Sequence, residues 1–379
     1  MVFDDTDFSP NLIEEARRAA AGRYIDLTSS NPTHQGLLFP AAILSRAAAG
    51  YWPARRYDPD PRGLLAARQA IADYYASRTP ALAIDPAAIF LAASTSEAYS
   101  LLFSLLTTPG DNVLGPNVTY PLFQYLADLH HIELRTYDLD PARGWQIDEE
   151  SLLAATDERT RAVLLISPHN PTGMILQRPV AALDRLGVPL ICDEVFAPFT
   201  VGATTTPPLG ALHPRLPVFH LNGISKLLAL PDLKLGWMAL NDPALAAYAE
   251  RLELINDTFL GCNSLVQSML PALLRESGPF VSGMVERVRQ NMALGLEQFA
   301  ACPRIEASLP DGGYYLFPRI KDCADDEALV VGLIAQGVLV YPGFFYDYAD
   351  DCRIMLSCLT EPADFAAGVS RLIAGLRYV

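Results

Sequence analysis

Residues 218–238 read VFHLNGISKLLALPDLKLGWM. The stretch opens on a short apolar strand (218–221), passes a glycine turn and reaches Ser225-Lys226. An apolar run follows, then Lys234-Leu235-Gly236-Trp237. Lysine seldom sits beside a core without a partner. One chemical reason to place it there is an amine of depressed pKa that condenses with a carbonyl. The plain alternative is a surface lysine at a helix start. The stretch alone does not separate the two readings.

Working outward, the same pattern recurs. A strand at 89–93 ends in Ser94-Thr95-Ser96, just before a helix. Three hydroxyls at such a turn can cradle a phosphate, because helix N-terminal N–H groups favour an anion. They can equally be a plain N-cap. The strand at 112–115 leads to Tyr120, 161–167 opens onto Asn170, and 189–192 opens onto Asp193-Glu194. Strands alternating with helices predict a parallel α/β sheet. Ligands bind such sheets beyond the carboxyl ends of the strands. Ser94, Thr95, Ser96, Tyr120, Asn170, Asp193 and Lys226 all follow a strand, so they converge on one crevice. After Trp237 the pattern turns helical to about residue 300. Strands at 313–318, 338–341 and 352–358 then suggest a second, smaller α+β domain. Arg353 lies in the last of these, where an arginine must be paired or bind an anion. A buried salt bridge and a bidentate carboxylate site both remain open.

The chain of 379 residues can bury a sizeable core, with 51% hydrophobic and 19% charged residues. A net charge of −15 argues against nucleic acid or an anionic membrane as partner. The six cysteines are scattered, with neither a C-x-x-C pair nor zinc-like spacing, and read as free thiols in a reducing compartment. No metal is expected. The start of the chain has no apolar signal core, and no apolar run approaches a membrane span, so a cytoplasmic location is expected.

A lysine, an aspartate, a phosphate cradle and an aromatic side chain suit pyridoxal 5'-phosphate. The lysine carries the cofactor, the aspartate pairs with its ring nitrogen, and the aromatic stacks on the ring. At this point the chain resembles the class I/II aminotransferases, a family of fold-type I pyridoxal-phosphate enzymes. The motifs run in family order: Tyr57-Asp-Pro, Ser94-Thr-Ser-Glu-Ala98, Thr119-Tyr-Pro121, Asn170-Pro-Thr-Gly173, Asp193-Glu-Val195, Ser225-Lys226, Lys234-Leu-Gly-Trp237, Pro342-Gly343 and Arg353.

The resemblance implies a large domain at 46–265, with a mostly parallel central sheet flanked by helices. A smaller α+β domain would be built from the arm 1–45 and from 266–379. It implies an aminotransferase acting on an amino acid and a 2-oxo acid, with pyridoxal phosphate on Lys226. That lysine would also move the proton at the substrate α-carbon. Asp193 would pair with the ring nitrogen, Asn170 with the ring oxygen, and Tyr120 would stack. Ser94, Thr95, Ser96 and Ser225 would hold the phosphate. Tyr57 would reach it from a second copy, making a homodimer. Arg353 would grip the substrate carboxylate, with the Ser30–Asn31 loop and Asn170 nearby.

Two positions depart from the family. Phe196 stands where a tyrosine usually donates to the ring oxygen, and Lys234 where an arginine usually grips the phosphate. A lysine supplies charge but no fork. The departures keep a lyase, decarboxylase or cyclase in view as the alternative. A nicotinamide dehydrogenase is not indicated, since no Gly-x-Gly-x-x-Gly turn follows the first strands.

Overall fold

A computed structural model of the chain describes residues 8–378. Its centre is a seven-stranded sheet. The strands are β1 (Ile89–Ala92), β2 (Asn112–Pro116), β3 (Glu133–Tyr137), β4 (Thr160–Ile166), β5 (Leu190–Asp193), β6 (Val218–Gly223) and β7 (Gly236–Leu240). They lie in the order β1-β7-β6-β5-β4-β2-β3. All neighbours are parallel except β7, which runs antiparallel to both β6 and β1.

The sequence places the helix after Trp237 at about 243–259, which the structure matches, but it gives no strand at 236–240, and the structure adds one. Residues 236–240 are strand, and the helix is Asp242–Thr258. The reversal has a simple cause. Between β6 and β7 the chain makes only the one-turn helix Ile224–Leu227. That link lacks the crossover element a parallel return needs.

The strands read as unbroken apolar runs because both faces of the sheet are covered. Leu190, Cys192, Val218, Val163 and Leu165 enter one core. Ile191, Phe219, Leu221, Leu164 and Ile166 enter the other. Alternation along each strand produces this division. Each such side chain contributes roughly 1.5–3 kcal/mol on burial. The polar side chains that face the cavity gather at the rim where the strands end.

The C-terminal part packs onto one face of the sheet. It carries a three-stranded antiparallel sheet, in which Ile354–Ser357 lies between Tyr315–Leu316 and Tyr341–Pro342. Around it stand the helices Gly278–Ala300, Asp326–Ala335 and Pro362–Gly375. The N-terminal segment joins this part, since Ile25–Asp26 pairs in parallel with Val338–Leu339. Gly173 shows why one turn needs glycine. It has φ +74°, and a Cβ there would lie 2.4 Å from the Gly312 carbonyl oxygen, closing off the approach of the C-terminal part.

The expectation of six free thiols is also corrected. Cys323 and Cys352 form a disulfide with Cα atoms 5.9 Å apart, within the range a bridge spans. Cys192, Cys262, Cys302 and Cys358 are free. Among the described residues, no helix is long and apolar enough to cross a membrane.

Candidate active site

The strand ends define a cavity of about 450 Å³. Lining it are Ser94, Thr95, Ser96, Tyr120, Asn170, Asp193, Phe196, Ser225, Lys226 and Lys234. Of the site residues expected from sequence, these ten come together. Tyr57, Asn31 and Arg353 do not line the cavity.

Lys226 sits in the one-turn helix directly after β6. Two hydrogen bonds tie that turn to the end of β5. Asn222 Nδ2 donates to the Glu194 carbonyl oxygen (3.1 Å), and the Glu194 N–H donates to the Leu221 carbonyl oxygen (2.8 Å). Lysine and aspartate are therefore held in fixed relation by the sheet itself. Lys226 Nζ donates to the Ser30 carbonyl oxygen at 3.4 Å. Burial lowers its pKa, against the pull of Tyr120 and Asp193. A lowered value supplies the unprotonated amine that attack on a carbonyl requires.

Asp193 is pushed up to about 6, chiefly by burial. The Val195 N–H on Oδ1 (3.0 Å) and the Tyr99 hydroxyl on Oδ2 (3.3 Å) act in the other direction. A carboxylate confined this way favours a cationic partner. Asn170 Oδ1 is buried with no hydrogen-bond partner. Buried polar atoms are rarely left so, and a ligand donor at that point would satisfy it.

The hydroxyl turn resolves into two roles. Ser94 caps the helix Thr95–Leu106, accepting the Glu97 N–H at 3.1 Å, while Glu97 reaches back to the Ala93 N–H. Ser94 is thus the N-cap, so its side chain is already engaged. Thr95 and Ser96 face the cavity from the first turn, where backbone N–H groups and the helix dipole favour an anion. Gly236 allows β7 to come this close, because a Cβ there would meet the Ser94 backbone at 2.9 Å. Lys234 is exposed at the cavity edge in the left-handed region (φ 50°).

Phe196 forms the back wall, edge-on to Tyr314 (4.8 Å between centroids) and near Tyr315 (5.8 Å). Tyr120 stands half-exposed at the mouth, positioned by the Thr119 N–H on the Tyr346 carbonyl oxygen (2.8 Å).

Arg353 does not line this cavity but lines an adjoining one, and Tyr315 belongs to both. Arg353 Nη2 donates to Asp351 Oδ2 (3.1 Å), its Nε lies 2.7 Å from Oδ1, and its Nη1 donates to the Phe317 carbonyl oxygen (3.1 Å). The guanidinium stacks on Trp145, 4.7 Å from the ring centroid, and lies near Phe317 and Tyr348. Arg353 is thus in an ion pair with Asp351 at the wall of that adjoining cavity. Asn31 is likewise committed, since its Oδ1 caps the turn Pro32–Gln35 through Thr33, and Ser30 faces the cavity instead. Tyr57 is exposed.

Sequence reasoning missed Tyr99 and Tyr315, whereas Ser30 belongs to the loop it placed beside the site. Tyr99 had a usable signal, because it lies one helical turn after Thr95 on the buried face. Tyr315 had none, since it reaches the cavity only through the packing of the C-terminal sheet. Among the described residues, no cluster of three or more His, Cys, Asp or Glu is placed to hold a metal ion.

A cavity with an activated lysine, a buried carboxylate, an aromatic at the mouth and a helix start defines a pyridoxal-phosphate site. Comparison with known proteins names the family. The chain belongs to the aminotransferases of class I and II, whose model matches residues 23–372. Among curated relatives, human tyrosine aminotransferase is 27% identical over 310 residues, covering 78% of this chain and 68% of that enzyme. Rice (Oryza sativa) nicotianamine aminotransferase 1 is 32% identical over 225 residues, covering 57% of this chain and 45% of that protein. An aminotransferase from Escherichia coli has the same fold, with TM-score 0.87 at 24% identity, covering 98% of this chain and 95% of that one.

The protein is thus an enzyme of the aminotransferase family with pyridoxal 5'-phosphate as cofactor. The residues present fit that group. Asp193 suits a protonated ring nitrogen, the unpartnered Asn170 Oδ1 suits the ring's oxygen substituent in its protonated form, and Thr95, Ser96 and Ser225 suit the phosphate. When bound, the cofactor supplies an electron sink for the carbon bearing the amino group. Asp193 would keep a proton on the ring nitrogen. Lys226, whose amine lies beside Asp193 in the cavity, would carry the proton at the substrate carbon. Tyr120 would hold the ring plane from the open side.

Proposed function

We propose that this enzyme transfers the amino group of a donor with an aromatic or apolar side chain to a 2-oxo acid. The convergence of Lys226, Asp193 and Asn170 on one cavity carries the transfer chemistry. The donor class is supported by the lining, where Tyr120, Phe123, Phe196 and Tyr315 outnumber charged groups. Tyrosine aminotransferases among the relatives point the same way. The protein acts as a homodimer, with the exposed Trp52 and Tyr57 on the surface the second copy covers.

A donor panel tests the reaction. The protein loaded with cofactor is given each amino acid alone, and the absorption of the bound cofactor is followed. Tyrosine, phenylalanine and leucine convert it, and aspartate does not. Conversion by aspartate alone would overturn the donor class. Sedimentation at micromolar concentration returns a dimer on this account, and a monomer would refute that part.

A further inference from the structure

The cavity that adjoins the active site at Tyr315 has a volume of about 320 Å³ and a charged lining of Glu306, Arg319 and Arg353. Arg319 and Arg353 stand opposite each other in an antiparallel bridge, so their side chains leave the same face. Like charges so placed repel, and one aspartate lies between them. Asp351 Oδ2 accepts from Arg353 Nη2 at 3.1 Å and lies 3.3 Å from Arg319 Nε. Glu306 completes the group, 3.7 Å from Arg319 and 3.9 Å from Lys321. Within this linked group Arg319, Lys321 and Arg353 outnumber Asp351 and Glu306, which leaves a positive charge over at the cavity wall.

The guanidinium of Arg353 is fixed from one side. Its Nη1 donates to the Phe317 carbonyl oxygen and its plane stacks on Trp145. The opposite edge, Nε and Nη2, is the one that can fork a carboxylate. Asp351 meets that edge off axis. Its Oδ1 lies 2.7 Å from Nε, yet both atoms are buried without a hydrogen-bond partner. Closeness without alignment is a charge contact rather than a fork. Asp351 also has a second seat. The Arg319 side chain is 46% exposed against 12% for Arg353, so a move towards Arg319 carries the aspartate into better-hydrated surroundings.

We propose that Asp351 holds the donor's place on Arg353: an incoming carboxylate takes the Nε–Nη2 edge, Asp351 passes to Arg319, and this exchange sets the affinity for every ligand that carries a carboxylate. Asp351 acts through Arg353 and is a positioning residue. The inference rests on the transfer reaction proposed above, and on Arg353 meeting the donor's carboxylate as the resemblance to the family implies. A binding edge that is open only part of the time weakens apparent affinity by that fraction. Removing the competitor restores the affinity, and removing its second seat lowers it further.

Calorimetry on the cofactor-loaded protein tests this apart from turnover, with 3-phenylpropanoate and its uncharged counterpart 3-phenylpropan-1-ol. Asp351→Asn tightens the carboxylate at least about fivefold and leaves the alcohol within about twofold. Arg319→Gln weakens the carboxylate at least about threefold in the wild-type background, and has no such effect in Asp351→Asn. An unchanged carboxylate affinity in Asp351→Asn overturns the proposal, and so does an Arg319→Gln loss that persists without Asp351. Should Asp351→Asn fail to fold, Arg319→Gln decides alone, an unchanged affinity overturning the proposal. In the half-reaction with phenylalanine, Asp351→Asn lowers the half-saturating concentration by the same factor and keeps the limiting rate within about twofold. A fallen limiting rate at unchanged half-saturation would show a structural role and overturn it. If phenylalanine does not react at all, the transfer reaction is wrong, and the calorimetry still decides the role of Asp351.

Discussion

Asp193 shows how the cavity sets chemistry one residue at a time. Its carboxyl is raised to about 6, above the ordinary 3.9 of an unfolded aspartate. A raised acid stabilises the fold while protonated, and that contribution is lost as pH climbs through about 6. Cofactor-free Asp193→Asn is therefore more stable than wild type at pH 8, by roughly 1–2 kcal/mol once water reaching the open cavity is allowed for. Urea unfolding at pH 8 and pH 4 checks this, and the advantage should vanish at the lower pH. Phe196 acts by what it lacks. A tyrosine hydroxyl would stabilise negative charge on the cofactor's ring oxygen and loosen the neighbouring proton. Phe196→Tyr accordingly lowers the pH midpoint of the bound cofactor's absorbance change in a spectrophotometric titration. Lys234 lies at the cavity edge with no hydrogen bond or ion pair among the described residues. If it serves the phosphate, Lys234→Ala weakens cofactor binding about tenfold, or roughly 1.4 kcal/mol, read by equilibrium dialysis. Unchanged affinity would show that hydroxyls and backbone suffice. Lys226, Asp193 and Asn170 were legible in the sequence because each directly follows an apolar strand. The partners of Arg353 were not legible, because the ion pair with Asp351 and the stacking on Trp145 come from packing that motif order does not carry.

The adjacent ends of β5 and β6 form the unit that presents the chemistry, and a buried ion pair stands behind them. Arg78 Nη1 lies 2.6 Å from Glu194 Oε2, and its Nη2 donates to the Thr206 carbonyl oxygen at 2.7 Å. The Glu194 side chain is fully buried and that of Arg78 is 8% exposed. Removing one partner of such a pair leaves a buried charge uncompensated, at a cost of about 3–5 kcal/mol. Arg78→Met destabilises the protein by that order in urea unfolding, and it loosens the turn that carries Asp193. The element pattern was legible wherever strands were long and apolar. It failed at β7, where the short link from β6 imposed an antiparallel return, and at Cys323 and Cys352, which 29 residues of sequence separate. Their bridge predicts four reactive thiols in denatured, unreduced protein, where six would show that it does not form in solution.

At the scale of the molecule, the polar side chains that face the cavity gather at the strand ends of a sheet covered on both faces, and the C-terminal part closes over them with Tyr315. The fold class followed from the alternation of apolar strands and helices alone. The cavity wall did not, because it is built from distant segments packed together, with Tyr315 of the C-terminal sheet facing Tyr120 and Phe196 of the large one. The central claim is that Lys226 and Asp193 make this cavity a transferase site. The most direct measurement is a single half-reaction. Cofactor-loaded protein is mixed with tyrosine in the absence of any 2-oxo acid, and products are counted by mass spectrometry. The account predicts one equivalent of the matching 2-oxo acid per site, the amino form of the cofactor left on the protein, no further turnover until a 2-oxo acid is added, and none of this with Lys226→Ala. Continuous release of ammonia, carbon dioxide or a cleaved side chain from tyrosine alone would contradict it.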